Sequence, residues 1–278
     1  MPALADVVAV LEELYDPRWA EPWDAVGLVC GDPAAEVRRV LFAVDPVEAV
    51  AQEAVQRGAD LVVTHHPLFL RGVHGVPATT PKGRIVHRLL GGGIALHVAH
   101  TNADVAAPGV SDALAAALGL EPGPPLVPQG TDPVGRRGIG RICALREPES
   151  LRDFARRAAG ALPRTAGGLR VAGDPERTVR TIAVAGGAGD GYFTEARSAG
   201  VDVYLTADLR HHPASESLEH GRPALVDASH WATEWPWLAS AAELLAAGLA
   251  AFGATVEIDL SRIVTDPWTF HEPARSDR

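Results

Sequence analysis

The strongest constraint on the fold is a pattern that the chain uses twice. Arg39-Val-Leu-Phe-Ala-Val44 is matched by Arg180-Thr-Ile-Ala-Val-Ala185. Gly58-Ala-Asp-Leu-Val-Val-Thr64 is matched by Gly200-Val-Asp-Val-Tyr-Leu-Thr206. The offsets are 141 and 142 residues, so the register holds across a whole strand–helix–strand unit. A third match runs from Gly93 to Asp104 and from Gly221 to Glu234, each a strand followed by His-x-x-x-acid. Chance likeness of three Val-rich segments is the competing reading. The glycines, the Gly-x-Asp and the His-x-x-x-acid, all in the same order, weigh against it. Alternation of strand and helix implies parallel pairing with right-handed crossovers. The expected fold class is therefore α/β: two similar lobes of mostly parallel or mixed sheets flanked by helices, with their strand ends bordering a shared cleft.

Boundaries follow from turn chemistry. Apolar residues at Leu4, Val7, Val8, Leu11 and Leu14 form a helical stripe that Asp16-Pro17 ends. Helices are expected at about 47–57, closed by Gly58, and at about 83–90 and 109–118. Residues 121–138 hold prolines and glycines in quantity and make the best linker. The expected division is a first lobe over 1–125 and a second over 126–278. In the second, strands are expected near 139–145, 169–172 and 181–185, and a helix near 148–160.

Composition excludes several partners. There are 35 acidic against 25 basic residues, a net charge of −10, so no basic surplus exists to displace counterions from a nucleic acid. Lys82 is the only lysine. The two cysteines, Cys30 and Cys143, are far apart and form no disulfide framework or Cys-x-x-Cys site, which fits a cytoplasmic location. No apolar run approaches the roughly 18–20 residues a membrane span needs, and the N-terminus lacks the basic region of a signal peptide.

The chemistry gathers at strand ends. Leu61-Val-Val-Thr64 reads as a buried strand running into His65-His66-Pro67, where proline ends the ladder. In open α/β sheets that edge is where ligands bind. Asp104 follows the next strand, and His230 and Glu234 follow the matching strand of the second half. His65, His66, Asp104, His230 and Glu234 together suit borderline divalent ions, namely zinc, iron, manganese, cobalt or nickel. Two carboxylates reduce the charge of an ion pair without cancelling it, leaving attraction for a small anionic substrate. His100 is expected to back a ligand or to face substrate as a proton carrier, with direct ligation as the alternative. His97 is expected in packing. His211 and His212, with Asp208, read first as a wall of the cleft, with a polar helix start and then direct ligation as the alternatives. Gly186-Gly-Ala-Gly-Asp-Gly191 reads as a tight turn, with phosphate binding as the alternative. His74, His87, His220 and His271 read as solvated. Because Pro236 favours a first helical turn, His230 and Glu234 are expected on a loop feeding a helix that begins near 235.

Trp23-Asp-Ala-Val-Gly-Leu28, Thr64-His-His-Pro67, His100-Thr-Asn-Ala-Asp104, Gly186-Gly-Ala-Gly189, Thr206-Ala-Asp-Leu-Arg-His-His212 and Asp227-Ala-Ser-His-Trp-Ala-Thr-Glu234 resemble the NGG-one-interacting factor three-like family. Its members are often labelled GTP cyclohydrolase type-two homologs or dinuclear metal centre proteins. The resemblance covers nearly the whole chain in motif order. It implies a toroidal homohexamer with two divalent metal ions per subunit, held by His65, His66, Asp104, His230 and a bridging Glu234. It also implies the compact form of the family, since 121–180 is too short for an inserted domain. Ala25 departs from the asparagine usual in that motif. Two functions follow as expectations: a metal-dependent hydrolase of a nucleotide or phosphorylated small molecule, or a non-enzymatic metal-binding or regulatory assembly.

Overall fold

The computed structural model describes residues 1–130 and 132–273. The chain forms two compact units. The first comprises Met1–Gly109 with Trp237–Thr265; the second comprises Val110–Pro236 with the described residues from Asp266 onward.

The first unit opens with α1 (Leu4–Leu14), β1 (Gly27–Cys30), β2 (Arg39–Ala43), α2 (Glu48–Arg57), β3 (Leu61–Thr64), α3 (Pro81–Gly91), β4 (Ala95–Val98) and α4 (Thr101–Val105). The chain then builds the second unit. This contains α5 (Val110–Ala117), β5 (Val127–Pro128), β6 (Gly138–Ile139), β7 (Arg141–Ser150), α6 (Leu151–Ala161), β8 (Arg170–Ala172), β9 (Thr178–Ala188), α7 (Phe193–Ser198), β10 (Val203–Ala207), α8 (His211–Glu219), β11 (Ala224–Ala228) and α9 (His230–Glu234). It returns to the first unit with α10 (Trp237–Ala251) and β12 (Glu257–Leu260). β12 pairs in parallel with β2, so residues 237–265 complete the first sheet, which a simple division at 125/126 does not contain.

The repeat is visible in both sheets. The first has the order β1-β4-β3-β2-β12 and the second β7-β9-β10-β11-β8. In each, three parallel strands form the centre: β2, β3 and β4, then β9, β10 and β11. An antiparallel strand flanks the third of these, β1 beside β4 and β8 beside β11. The Gly-x-Asp motif now has a physical reason. Gly58 and Gly200 have φ of 63° and 68°, which favours glycine at the turn after each helix. Asp60 Oδ2 then accepts from the backbone N–H of Arg38 (2.7 Å) and Arg39 (3.0 Å). Asp202 Oδ2 accepts from those of Arg180 (2.9 Å) and Thr181 (3.1 Å). Each aspartate ties the start of the second parallel strand to the start of the first.

Both central sheets are covered on two faces, which is why their strands read as nearly continuous apolar runs. On β2, Leu41 and Ala43 face Val50, Ala54, Ile85 and Leu89, while Phe42 meets Trp237, itself edge-on to Tyr15. In the second unit Ile182, Val184, Val203 and Leu205 share a core with Leu114, Leu151 and Phe154. Tyr204 and Leu225 share another with Phe193 and Ala196.

Two local expectations change. β9 continues through Gly186 and Gly187 to Ala188, so the turn begins later than the glycine cluster implied. His230–Glu234 is itself the short helix α9, closed by Trp235 N–H to Trp231 O (2.9 Å). Pro236, with no N–H, cannot extend that ladder, and α10 starts afresh at Trp237.

Candidate metal centre

In the first unit, the ends of β3 and β4 carry three imidazoles. The backbone amides of His65 and His66 continue the ladder onto Ala43 O (3.2 Å) and Val44 O (2.9 Å). The His65 side chain is 1% exposed, packed against the Trp237 ring at 5.4 Å. Its Nδ1 lies 2.9 Å from Ala99 O. A carbonyl has no proton to give, so Nδ1 donates, and in the neutral ring the lone pair is then on Nε2. That Nε2 lies 3.7 Å from Asp104 Oδ1, which α4 supplies.

His66 and His100 are oriented in the same way. His66 Nδ1 donates to Asp45 Oδ1 at 2.7 Å, and His100 Nδ1 to Asp24 Oδ1 at 2.8 Å. Asp24 Oδ2 also accepts from Thr101 N–H (3.0 Å) and Thr101 Oγ1 (2.5 Å). Burial alone would raise the Asp24 carboxyl. The hydrogen bonds from His100 and Thr101 and the nearby His100 charge outweigh it and hold the group well below the usual carboxylate range. His65, His66 and His100 each offer a ligand atom, and these atoms lie within 4.8 Å of one another. His100 is therefore in the cluster itself.

In the second unit, α9 places His230 and Glu234 four residues apart on one face. His230 Nδ1 lies 2.7 Å from Asp208 Oδ2, and His230 Nε2 lies 2.9 Å from Glu234 Oε1. Glu234 is 2% exposed. An imidazole flanked at both nitrogens by carboxylates has acceptors on both sides. It is satisfied as an imidazolium, or with a cation taking the place of the proton at Nε2. Asp208 reaches its position with φ of 57°, a left-handed conformation uncommon outside glycine.

The glycine cluster has a local role in this arrangement. A Cβ on Gly187, whose φ is 68°, would lie 2.6 Å from Glu234 Oε1 and 3.2 Å from His230 Nε2. Gly187 N–H donates to Thr233 Oγ1 (2.9 Å) and Gly187 O accepts from Thr206 Oγ1 (2.9 Å). The glycines bring the end of β9 against the His–Glu pair.

Other residues fall as follows. His97 is buried in β4, and burial pushes its imidazole down to about 4. His211 and His212 open α8, the polar helix start. His87 bonds Val76 O at 3.0 Å; His74, His220 and His271 are exposed. Sequence reasoning missed Asp24 and Asp45 as the groups that orient His100 and His66. Their signal is position alone: Asp45 ends the strand beside the His65-His66 strand. It named Asp208 but not its bond to His230.

Imidazoles whose Nδ1 atoms are tied to oxygen, gathered with carboxylates at the strand ends of a duplicated α/β chain, define a protein with groups that could hold a metal ion. The chain belongs to the Duf34/NIF3 (NGG1p interacting factor 3) family, whose model matches residues 2–267. It is 58% identical over 271 residues to the GTP cyclohydrolase 1 type 2 homolog of Streptomyces coelicolor, covering 98% of this chain and 95% of that protein. It is 38% identical to the homolog of the same description from Mycobacterium tuberculosis, covering 98% of each. That alignment runs over 378 positions, more than the 278 residues here, so the relative carries residues this chain lacks. Among solved structures, a Bacillus cereus protein related to NIF3 is similar at a TM-score of 0.88 and 25% identity, covering 97% of this chain and 99% of that one. A Staphylococcus aureus protein matches at 0.89 and 27% over the same shares. Among the described residues, no helix is long and apolar enough to cross a membrane.

Proposed function

We propose that the protein is a metal-dependent hydrolase of a nucleotide or another phosphorylated small molecule. Two divalent ions per chain would be held by His65, His66 and Asp104 of the first unit and His230 and Glu234 of the second. The observation that carries the reading is the set of Nδ1 bonds: Ala99 O, Asp45 and Asp208 orient His65, His66 and His230 as oxygen partners orient metal-binding histidines. The donor set of imidazole nitrogens and carboxylates fits borderline ions. Such ions supply Lewis-acid polarisation and charge stabilisation for hydrolysis. The chain's own part is to aim the rings, to hold Asp24 ionised against His100, and to use His100 as the proton carrier at its Nε2. The description of the relatives as GTP cyclohydrolase 1 type 2 homologs supports a purine nucleotide among the candidates. The same reading includes a homohexamer, which light scattering on the purified protein tests.

Elemental analysis of the purified protein is the direct test. About two ions per chain, falling sharply in Glu234→Ala, is the expected result. An unchanged count in that variant sinks the ligand assignment. Hydrolysis across a panel of nucleotides and phosphoesters should depend on both His65 and Glu234, and turnover indifferent to them would remove the enzymatic reading.

A further inference from the structure

The first unit contains a cavity of about 340 Å³ lined by Asp45, Glu48, His66, Leu68, Lys82 and Ile85, among others. That volume lies in the range of small-molecule sites, roughly 300–1,000 Å³. Its wall is largely apolar, built from residues such as Pro46, Val47 and Pro67. The charged groups in the lining are differently engaged. Asp45 is bonded to His66 Nδ1 and to Thr265 Oγ1. Glu48 accepts from Arg88 Nε (2.8 Å) and Gln52. Lys82 pairs with no carboxylate among the described residues. Its ammonium lies 5.8 Å from the centre of the Phe69 ring, a contact that steadies the side chain while leaving its three N–H donors available. His66 lines this cavity and also belongs to the imidazole cluster with His65 and His100.

We propose that this cavity is the subsite for the negatively charged, non-reacting end of the substrate, with Lys82 as the residue that selects a phosphate-bearing ligand. The proposal rests on the anionic substrate inferred above. A ligand seated there extends past His66 toward the imidazole cluster. The apolar wall takes its carbon frame and the lysine a phosphate oxygen. Binding energy gathered at such a remote group can be used to position the reacting end. A compact ammonium suits this task, since it reaches one oxygen as a point charge.

The test uses the full-length protein, with and without added manganese, titrated calorimetrically with GTP and with inorganic pyrophosphate. Lys82→Glu should weaken binding of both probes about tenfold or more, the worth of a charge-assisted hydrogen bond. Lys82→Met should weaken it similarly while keeping an unbranched apolar side chain of similar length, and Lys82→Arg should stay within about threefold. Metal content should be unchanged in all three. Metal failing to bind the wild type, with Lys82-dependent probe binding intact, would refute the metal site and leave this subsite standing. Equal affinities in wild type and Lys82→Glu, or no binding of either probe to the wild type, would overturn the subsite.

Discussion

The two units share a central three-stranded motif but arm its edge differently. After Thr64 the first continues with His65-His66, while after Thr206 the second continues with Ala207-Asp208. In the first, strand-end histidines are the candidate ligands, and acids from neighbouring loops, Asp24 and Asp45, hold His100 and His66. In the second, the end of β10 supplies the acid, Asp208, and α9, which follows the next strand, supplies the histidine it holds. The same carboxylate–imidazole pairing is reached from different elements. The short helices α4 and α9 complete each set with Asp104 and Glu234. Duplication supplied a frame in which strand ends and a following helix converge, and the frame does not dictate which element carries the nitrogen.

Truncation of a large, fully buried aromatic anchor in each unit should give the largest effect. Trp237→Ala and Phe154→Ala are each expected to cost about 3–5 kcal/mol in chemical denaturation. Only Trp237→Ala should also reduce bound metal, because its ring packs on His65. Equal metal loss in both variants would mean that general destabilisation, not the wall behind His65, is being measured.

The next effect separates the units by pH. His97 is buried in β4, and among the described residues neither of its ring nitrogens has a hydrogen-bond partner. Its folded value near 4 lies below the unfolded value of 6.5. The unfolded chain therefore takes up the proton first as pH falls. The stability tied to neutral His97 is present above pH 6.5 and lost towards pH 4, about 3 kcal/mol at most. Hydrogen exchange at pH 4.5 should show the first unit losing protection before the second, and His97→Leu should narrow that gap. Simultaneous loss in both units would reject His97 as the acid-labile point.

The smallest effect bears on these carboxylate–imidazole pairings. Asp45→Ala and Asp208→Ala remove the acids that hold His66 and His230, and each should weaken metal affinity by about 10–100-fold. Asp208→Asn keeps an oxygen and tolerates the left-handed backbone, so it should retain more affinity than Asp208→Ala. If Asp45→Ala is silent while Asp208→Ala is not, only the second unit uses its acid to orient a ligand.

Much of this was legible beforehand because it depends on local chemistry. The parallel α/β core followed from apolar runs that alternate with glycine-stopped helices, as at Gly58, and the candidate ligands followed from their place at strand ends. What stayed hidden depends on residues far apart in sequence. Asp24 reaches His100 across 76 positions, and Asp45 reaches His66 across 21. The Gly186–Gly189 run looked like a turn because glycine marks turns by its freedom. At Gly187 it marks, besides that freedom, the absence of space beside Glu234 and His230.

The sequence by itself determined the duplicated strand–helix–strand order, since periodicity and glycine stops act within a few residues. It also determined which side chains can offer nitrogen or oxygen to an ion. Only the tertiary structure decided which tautomer each imidazole adopts, because that depends on the acceptor that packing places at Nδ1. It alone decided that β12 returns to pair with β2, as strand pairing is a property of sheet edges and not of chain order. And it alone set the lone lysine at the rim of a cavity shared with His66, a neighbour 16 residues away that no local pattern foretells.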